Sequence, residues 1–186
     1  MKKVILASLI LATFSSVDTL SAQSMKEKTV MVGGAPMYPS KNIIQNAINS
    51  KDHKTLVAAV KAAGLVETLQ GDGPFTVFAP TDAAFAKLPS GTVETLVKPE
   101  NKEKLTQILT YHVILGKHSA KSIWTDVKAG NGKAMMKTIE GENLTFWTKG
   151  NALYVSDSKG NNAKITVADV NQSNGVIHVI DKVLMP

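Results

Sequence analysis

Residues Gly73–Pro89 read GPFTVFAPTDAAFAKLP, and the reading of this stretch decides the fold class. Phe75-Thr-Val-Phe-Ala79 is rich in β-branched and aromatic residues and follows the turn-forming run Gly71-Asp-Gly-Pro74, so a buried strand is predicted there. Pro80 stops the ladder, and Thr81 is placed as a helix N-cap, its hydroxyl accepting from a backbone N–H two or three residues on. Asp82 falls at the positive end of the helix dipole. Ala83, Ala84, Phe85, Ala86 and Leu88 make a short helix that Pro89 ends. A buried strand that becomes a capped helix within two residues pins two layers of a fold together.

Two later stretches work with it. Leu109-Thr-Tyr-His-Val-Ile-Leu-Gly116 leaves a helix and enters a strand, and Asn174-Gly-Val-Ile-His-Val-Ile-Asp-Lys-Val-Leu184 is a Gly-started strand made almost wholly of β-branched residues. TVFAPTDAAF, YHVILG and NGVIHVIDKVL, in this order and at these separations, resemble the fasciclin domain, a secreted adhesion module; the resemblance covers Ser40 to Pro186. It implies a compact wedge-shaped β-sandwich with short helices packed on one side.

Outward from the motifs, the period changes along the chain. Ile43, Ile44, Ala47 and Ile48 lie at helical spacing, and Asp52 is placed to cap a following helix that carries Leu56, Val57, Val60 and Ala63 on one face and Gly64 as C-cap. Thr92 opens a short helix. Pro99, at a first helical position, opens another with Glu100 and Glu103 at its positive end and Leu105, Ile108 and Leu109 as its apolar stripe. From Val113 the period is two: Val113–Leu115, Ala134–Thr138, Leu144–Thr148, Leu153–Val155, Ile165–Asp169 and Val176–Val183 read as strands, with turn clusters at Lys149–Asn151 and Ser158–Asn162. Helices gathered in the first half and strands in the second predict an α+β domain over residues 41–186. Residues 23–40, polar and then Gly/Pro-rich, read as a linker.

Residues 1–22 have the form of a secretory signal peptide: Lys2 and Lys3, an apolar run over Val4–Phe14, and a polar end with Ala22 before the expected cut at Gln23. The apolar run falls short of the roughly 20 residues that span a bilayer. The expected location is therefore secreted, either periplasmic or extracellular. The chain contains no cysteine, which removes thiol catalysis, disulfides and Cys-based metal sites. Its net charge is +6, and +5 once Lys2, Lys3 and Asp18 leave with the leader. All basic residues are lysine. Without arginine, and without a lysine run interleaved with aromatics, the charge reads as a solvated surface rather than a nucleic-acid site.

No catalytic constellation emerges, so the protein is read as a non-enzyme with no cofactor and no metal. His112 and His178 lack a second histidine or a carboxylate at i+2 or i+4, and read as imidazoles hydrogen-bonded to buried carbonyls. On one strand His178 and Asp181 point to opposite faces and cannot act as a pair. No G-x-S-x-G elbow or phosphate-cradling loop occurs. Phe146 and Trp147 alternate, so one of them faces away from the core and forms a contact patch. The resemblance implies that Tyr111 and His112 are a contact for cell-surface integrin-type receptors. The family's Asp-Ile adhesive pair is not kept, because Lys182 follows Asp181.

By the resemblance, the candidate partner-binding residues are Tyr111, His112, His178, Asp181 and Trp147. The partners expected are a cell-surface or matrix protein or an envelope glycan, with self-association as a further mode of bridging. The alternative function is a carrier of a hydrophobic small molecule, such as a carotenoid or lipid, as the resemblance to algal proteins of this fold implies. Its groove would lie around Met135, Met136 and Trp147.

Overall fold

The computed structural model describes residues 27–186. The predicted leader lies outside the described residues. A hairpin, β1 (Val30–Val32) and β2 (Ala35–Met37), comes first, then helices α1 (Ile43–Ala47), α2 (Lys54–Ala63) and α3 (Val66–Gln70). Strand β3 (Phe75–Pro80) runs into α4 (Asp82–Phe85). Helix α5 (Thr92–Leu96) and a 3₁₀ turn at Pro99–Asn101 lead to α6 (Lys102–Tyr111), β4 (Val113–Leu115) and α7 (Ala120–Ala129). The remaining strands are β5 (Lys133–Lys137), β6 (Asn143–Lys149), β7 (Ala152–Ser156), β8 (Asn162–Gln172) and β9 (Gly175–Ile180).

Strands β3 and β9 form the parallel centre, in register from Phe75↔Gly175 to Pro80↔Ile180. All of β9 and all of β3 after Phe75 are buried. Strands covered on both faces carry continuous apolar runs, which explains why these two motifs show no alternation. The sheet order is β4-β3-β9-β8-β7-β6-β5, antiparallel elsewhere. Past β5 the chain returns to β4. Ile139 N–H donates to the Val113 carbonyl at 2.8 Å and Thr138 bridges Ile114, so the sheet nearly closes on itself.

The closure makes two cores. Inside the curl, Phe78, Ile114, Leu144, Phe146, Val155, Ile165 and Ile180 pack around Ile123 and Val127 of α7, which plugs it. On the opposite face of β3 and β9, Val77, Ala79, Ile177 and Val179 meet α1, α2, α3 and α6 through Ile43, Ile44, Val60, Leu69, Leu105 and Leu109. The protein is α+β, with helices massed over the central strands as predicted.

Four local features differ from expectation. Residues 30–37 form a hairpin, not a linker, and bury Val32 and Met37 in the helical core. Asp52 does not cap α2: His53 holds the N-cap position, and the Asp82 carboxylate accepts from the N–H of Thr55 at 2.8 Å and Lys54 at 3.3 Å. Helices α3 and α7 are additional to the elements that the sequence predicts. Strand β9 ends at Ile180 because Asp181 turns to accept the N–H of Lys164. Thr81 does cap α4, accepting from Ala84 N–H at 3.2 Å, and Gly64 closes α2 at φ +75°.

Candidate functional site

Strands β5 to β8 turn one face into the curl and the other to solvent. Leu144, Phe146, Leu153, Val155, Ala163 and Ile165 point inward, so their alternates must point out. Cross-strand register builds a row on that outer face: Lys133 opposite Trp147, Trp147 opposite Tyr154, Tyr154 opposite Lys164. The Trp147 and Tyr154 rings stack at 4.5 Å between centroids, 13° from parallel. The Trp147 indole N–H donates to Ser156 Oγ at 2.8 Å, and Ser156 Oγ in turn bonds Asn162. The pair is a rigid, half-buried ridge with a lysine on each flank. Lys137 and Lys149 lie on the same outward face, and no carboxylate occupies an outward position of these four strands.

Tyr154 is not among the sequence-derived candidates, yet the sequence carries a signal for it. A two-residue turn at Gly150-Asn151 sets Lys149 opposite Ala152, and counting back places Trp147 opposite Tyr154. Met135 stands on this outer face, 66% exposed, whereas Met136 points inward against the curl's core. These two methionines do not share a face.

The other sequence-derived candidates lie elsewhere. Tyr111 is fully buried; its hydroxyl donates to the Asn143 carbonyl at 3.3 Å and accepts from Ser158 N–H at 3.0 Å, and burial pushes its pKa up. His112, 3% exposed, donates from Nδ1 to the Ile108 carbonyl at 2.7 Å and accepts Leu184 N–H at Nε2 at 3.0 Å. Burial holds its pKa down at about 4, against smaller opposing effects of the Ile108 carbonyl and Asp157. His178 donates from Nε2 to the His118 carbonyl at 2.9 Å and accepts Asp169 N–H at Nδ1 at 3.3 Å; burial lowers its pKa too. Both imidazoles are neutral and saturated. Tyr111 ties the start of β6 to the β7–β8 loop, His112 ties the α6 end to the C-terminal segment, and His178 ties β9 to His118 and to Asp169 of β8; all three side chains are buried. Asp181 is partly exposed; its carboxylate accepts Lys164 N–H at 2.8 Å, and its carbonyl accepts from Lys87 Nζ at 2.7 Å. Among the described residues no group of three His, Asp or Glu side chains is arranged to hold a metal ion.

A family model described as the fasciclin domain matches residues 51–186. The chain belongs to the fasciclin-domain family. The chain is 49% identical over 160 residues to protein sll1483 of Synechocystis, covering 86% of this chain and 82% of that protein. It is 37% identical over 145 residues to the immunogenic protein MPB70 of Mycobacterium bovis, covering 75% of this chain and 66% of the relative. Among solved structures, the fasciclin domain pair of the insect cell adhesion molecule Fasciclin I superposes with a TM-score of 0.70 at 18% identity, over 80% of this chain and 52% of that one. The Tyr111-His112 motif is buried where α6 hands the chain to β4. No helix among the described residues is long and apolar enough to cross a membrane.

Proposed function

We propose that the protein is a secreted, non-enzymatic interaction module that meets a partner of the cell envelope or extracellular matrix on the outer face of β5–β8. The observation that carries this reading is the outward-facing, half-buried Trp147–Tyr154 stack between Lys133 and Lys164. A stacked aromatic pair whose indole edge is hydrogen-bonded loses little entropy when it is covered, which is what an interaction anchor needs. The lysines favour a partner of acidic character, whether protein or envelope glycan. The family and the adhesion molecule with which the fold superposes support the same class of role. His112 and His178, with both ring nitrogens committed to backbone, supply no acid or base for catalysis.

The test is retention of the purified protein on cell envelopes isolated from its own source. Wild type should be retained, and the double substitution Trp147→Ala with Tyr154→Ala should weaken retention at least tenfold, in line with loss of an aromatic anchor. Equal retention of the two proteins, with the variant's circular dichroism unchanged, would remove this face from the function. The intact mass of the exported protein, beginning at Gln23, checks the leader.

A further inference from the structure

The outer face of β5, β6, β7 and the adjoining end of β8 is laid out in rows that cross the strands. Lys133, Trp147, Tyr154 and Lys164 form one row, and Met135, Thr145, Ser156 and Asn162 form the next. Neighbouring strands lie about 4.8 Å apart, so three spacings set the two lysines of the first row about 14 Å apart at the backbone, and the second row runs beside it about 7 Å away. The Trp147 and Tyr154 rings cover each other's inner faces, and the indole N–H is spent on Ser156 Oγ. The ridge is a fixed, shallow apolar rail with hydroxyl and amide groups along one side.

The charge on this face has one sign. Lys137 and Lys149 add to Lys133 and Lys164, all four are exposed, and no outward position of these strands holds a carboxylate. Acids stand only at the rim. Asp181 is there, its carboxylate accepting the Lys164 N–H at 2.8 Å, and Glu142 precedes β6. A second copy of the same face would set lysine against lysine, which disfavours self-association here.

We infer that this face binds a linear acidic polysaccharide laid across the strands, its anionic groups, carboxylate or sulfate, at Lys133 and Lys164 and its sugar rings along the Trp147–Tyr154 rail. The inference rests on the reading of β5–β8 as the interaction face and names what that face takes. Four lysines without an opposed carboxylate call for an anionic ligand. An aromatic rail beside Thr145, Ser156 and Asn162 calls for a ligand that is apolar on one side and carries hydroxyls along its length, as a sugar chain does. An acidic protein fits less well. Protein interfaces keep an apolar core inside a polar rim, and Met135 is the one large aliphatic side chain turned outward on these strands. A lipid surface fits less well too, because binding there buries apolar side chains among the acyl chains, and the half-buried ridge has none to insert.

The test titrates the full protein at one fixed low salt concentration with polygalacturonate and with dextran sulfate. Their uncharged counterparts, methyl-esterified polygalacturonate and dextran, are run beside them, as is polyglutamate, a polyanion without sugar rings. One of the two acidic polysaccharides should bind at least tenfold more tightly than its uncharged counterpart and than polyglutamate, and which one does so identifies the anion. Lys133→Gln with Lys164→Gln should weaken that binding at least tenfold, a lower bound for two charge-assisted hydrogen bonds. Lys102→Gln with Lys104→Gln removes the same charge from exposed positions of α6 and should weaken it less than about twofold. Equal affinity for each acidic polysaccharide and its uncharged counterpart, equal affinity for polyglutamate, or equal losses in the two double variants would each overturn the assignment. Loss of envelope retention in the Trp147→Ala, Tyr154→Ala variant is read separately, so failure of the polysaccharide and failure of the face are told apart.

Discussion

The Asp82 carboxylate sits in the first turn of α4 while it accepts the N–H groups of Thr55 and Lys54, so one side chain serves the N-termini of two helices. Its own N–H donates to the Asp52 carbonyl at 2.7 Å, which fixes the approach of α4 to α2. Asp82→Ala should therefore cost about 1–2 kcal/mol, the value of a lost N-cap, and Asp82→Asn less, because an amide oxygen can still accept. Denaturant midpoints at constant m-value would measure both; a neutral Asp82→Ala would mean that the α2 amides are satisfied by water. The sequence made Thr81 legible as a cap because its partner is three residues away. Asp82's second task was not legible, because its partners lie 27 and 28 residues back and meet it only through the tertiary fold. Gly175 follows the same logic. A Cβ there would lie 2.1 Å from the Phe75 carbonyl oxygen, so glycine is required by a strand 100 residues away in sequence. Asn174 beside it accepts from Ile43 N–H and donates to the carbonyls of Leu69 and Gly71, joining α1 and α3 to the β8–β9 turn.

Among elements, the β1–β2 hairpin has the clearest energetic consequence. Met37 is 3% exposed in the helical core, and Lys51 N–H donates to the Gly33 carbonyl at 3.0 Å. Met37→Ala should destabilise the domain by about 2–5 kcal/mol, the usual cost of such a deletion in a core. Were residues 23–40 only a linker, thermal unfolding of the variant would match wild type. Val-Met-Val-Gly-Gly-Ala-Pro-Met does contain a hairpin signal in its Gly-Gly pair, but three-residue strands are too short to show alternation and Pro36 argues against a ladder. Helix α7 is hard to read in the sequence for a related reason. Ser119 caps it and Ile123 and Val127 lie four apart, but two buried positions are a thin stripe for a ten-residue helix. By contrast, β3 and β9 were legible as strands because burial on both faces demands apolar residues throughout. The site divided in the same way. Alternation announced that Phe146 and Trp147 part company, and the structure sends Phe146 inward. Nothing local disclosed that Tyr111 and His112 are sealed inside, since that depends on the β7–β8 loop and on Leu184.

For the molecule as a whole, three buried neutral histidines set the response to acid. His53, His112 and His178 all have pKa values lowered first by burial, so over a range of pH the unfolded chain binds protons that the folded one refuses. Where the unfolded state binds more protons, stability falls as pH falls. The loss should begin as pH drops through the unfolded value of 6.5 and, for His112, continue to about 4. That span alone corresponds to roughly 3 kcal/mol. Protonating His112 Nε2 would set a proton against Leu184 N–H, and protonating His178 Nδ1 would do the same to Asp169 N–H. The C-terminal segment and the part of β8 around Asp169 should therefore loosen first. Unfolding free energies measured at pH 8.0, 7.0, 6.0, 5.0 and 4.5 should be flat above pH 7 and decline below 6.5, with amide exchange of Leu184 and Asp169 rising before that of β3. A stability unchanged from pH 7 to 5 would mean that these imidazoles are hydrated in the folded protein, and the saturated geometry at His112 leaves no room for that water.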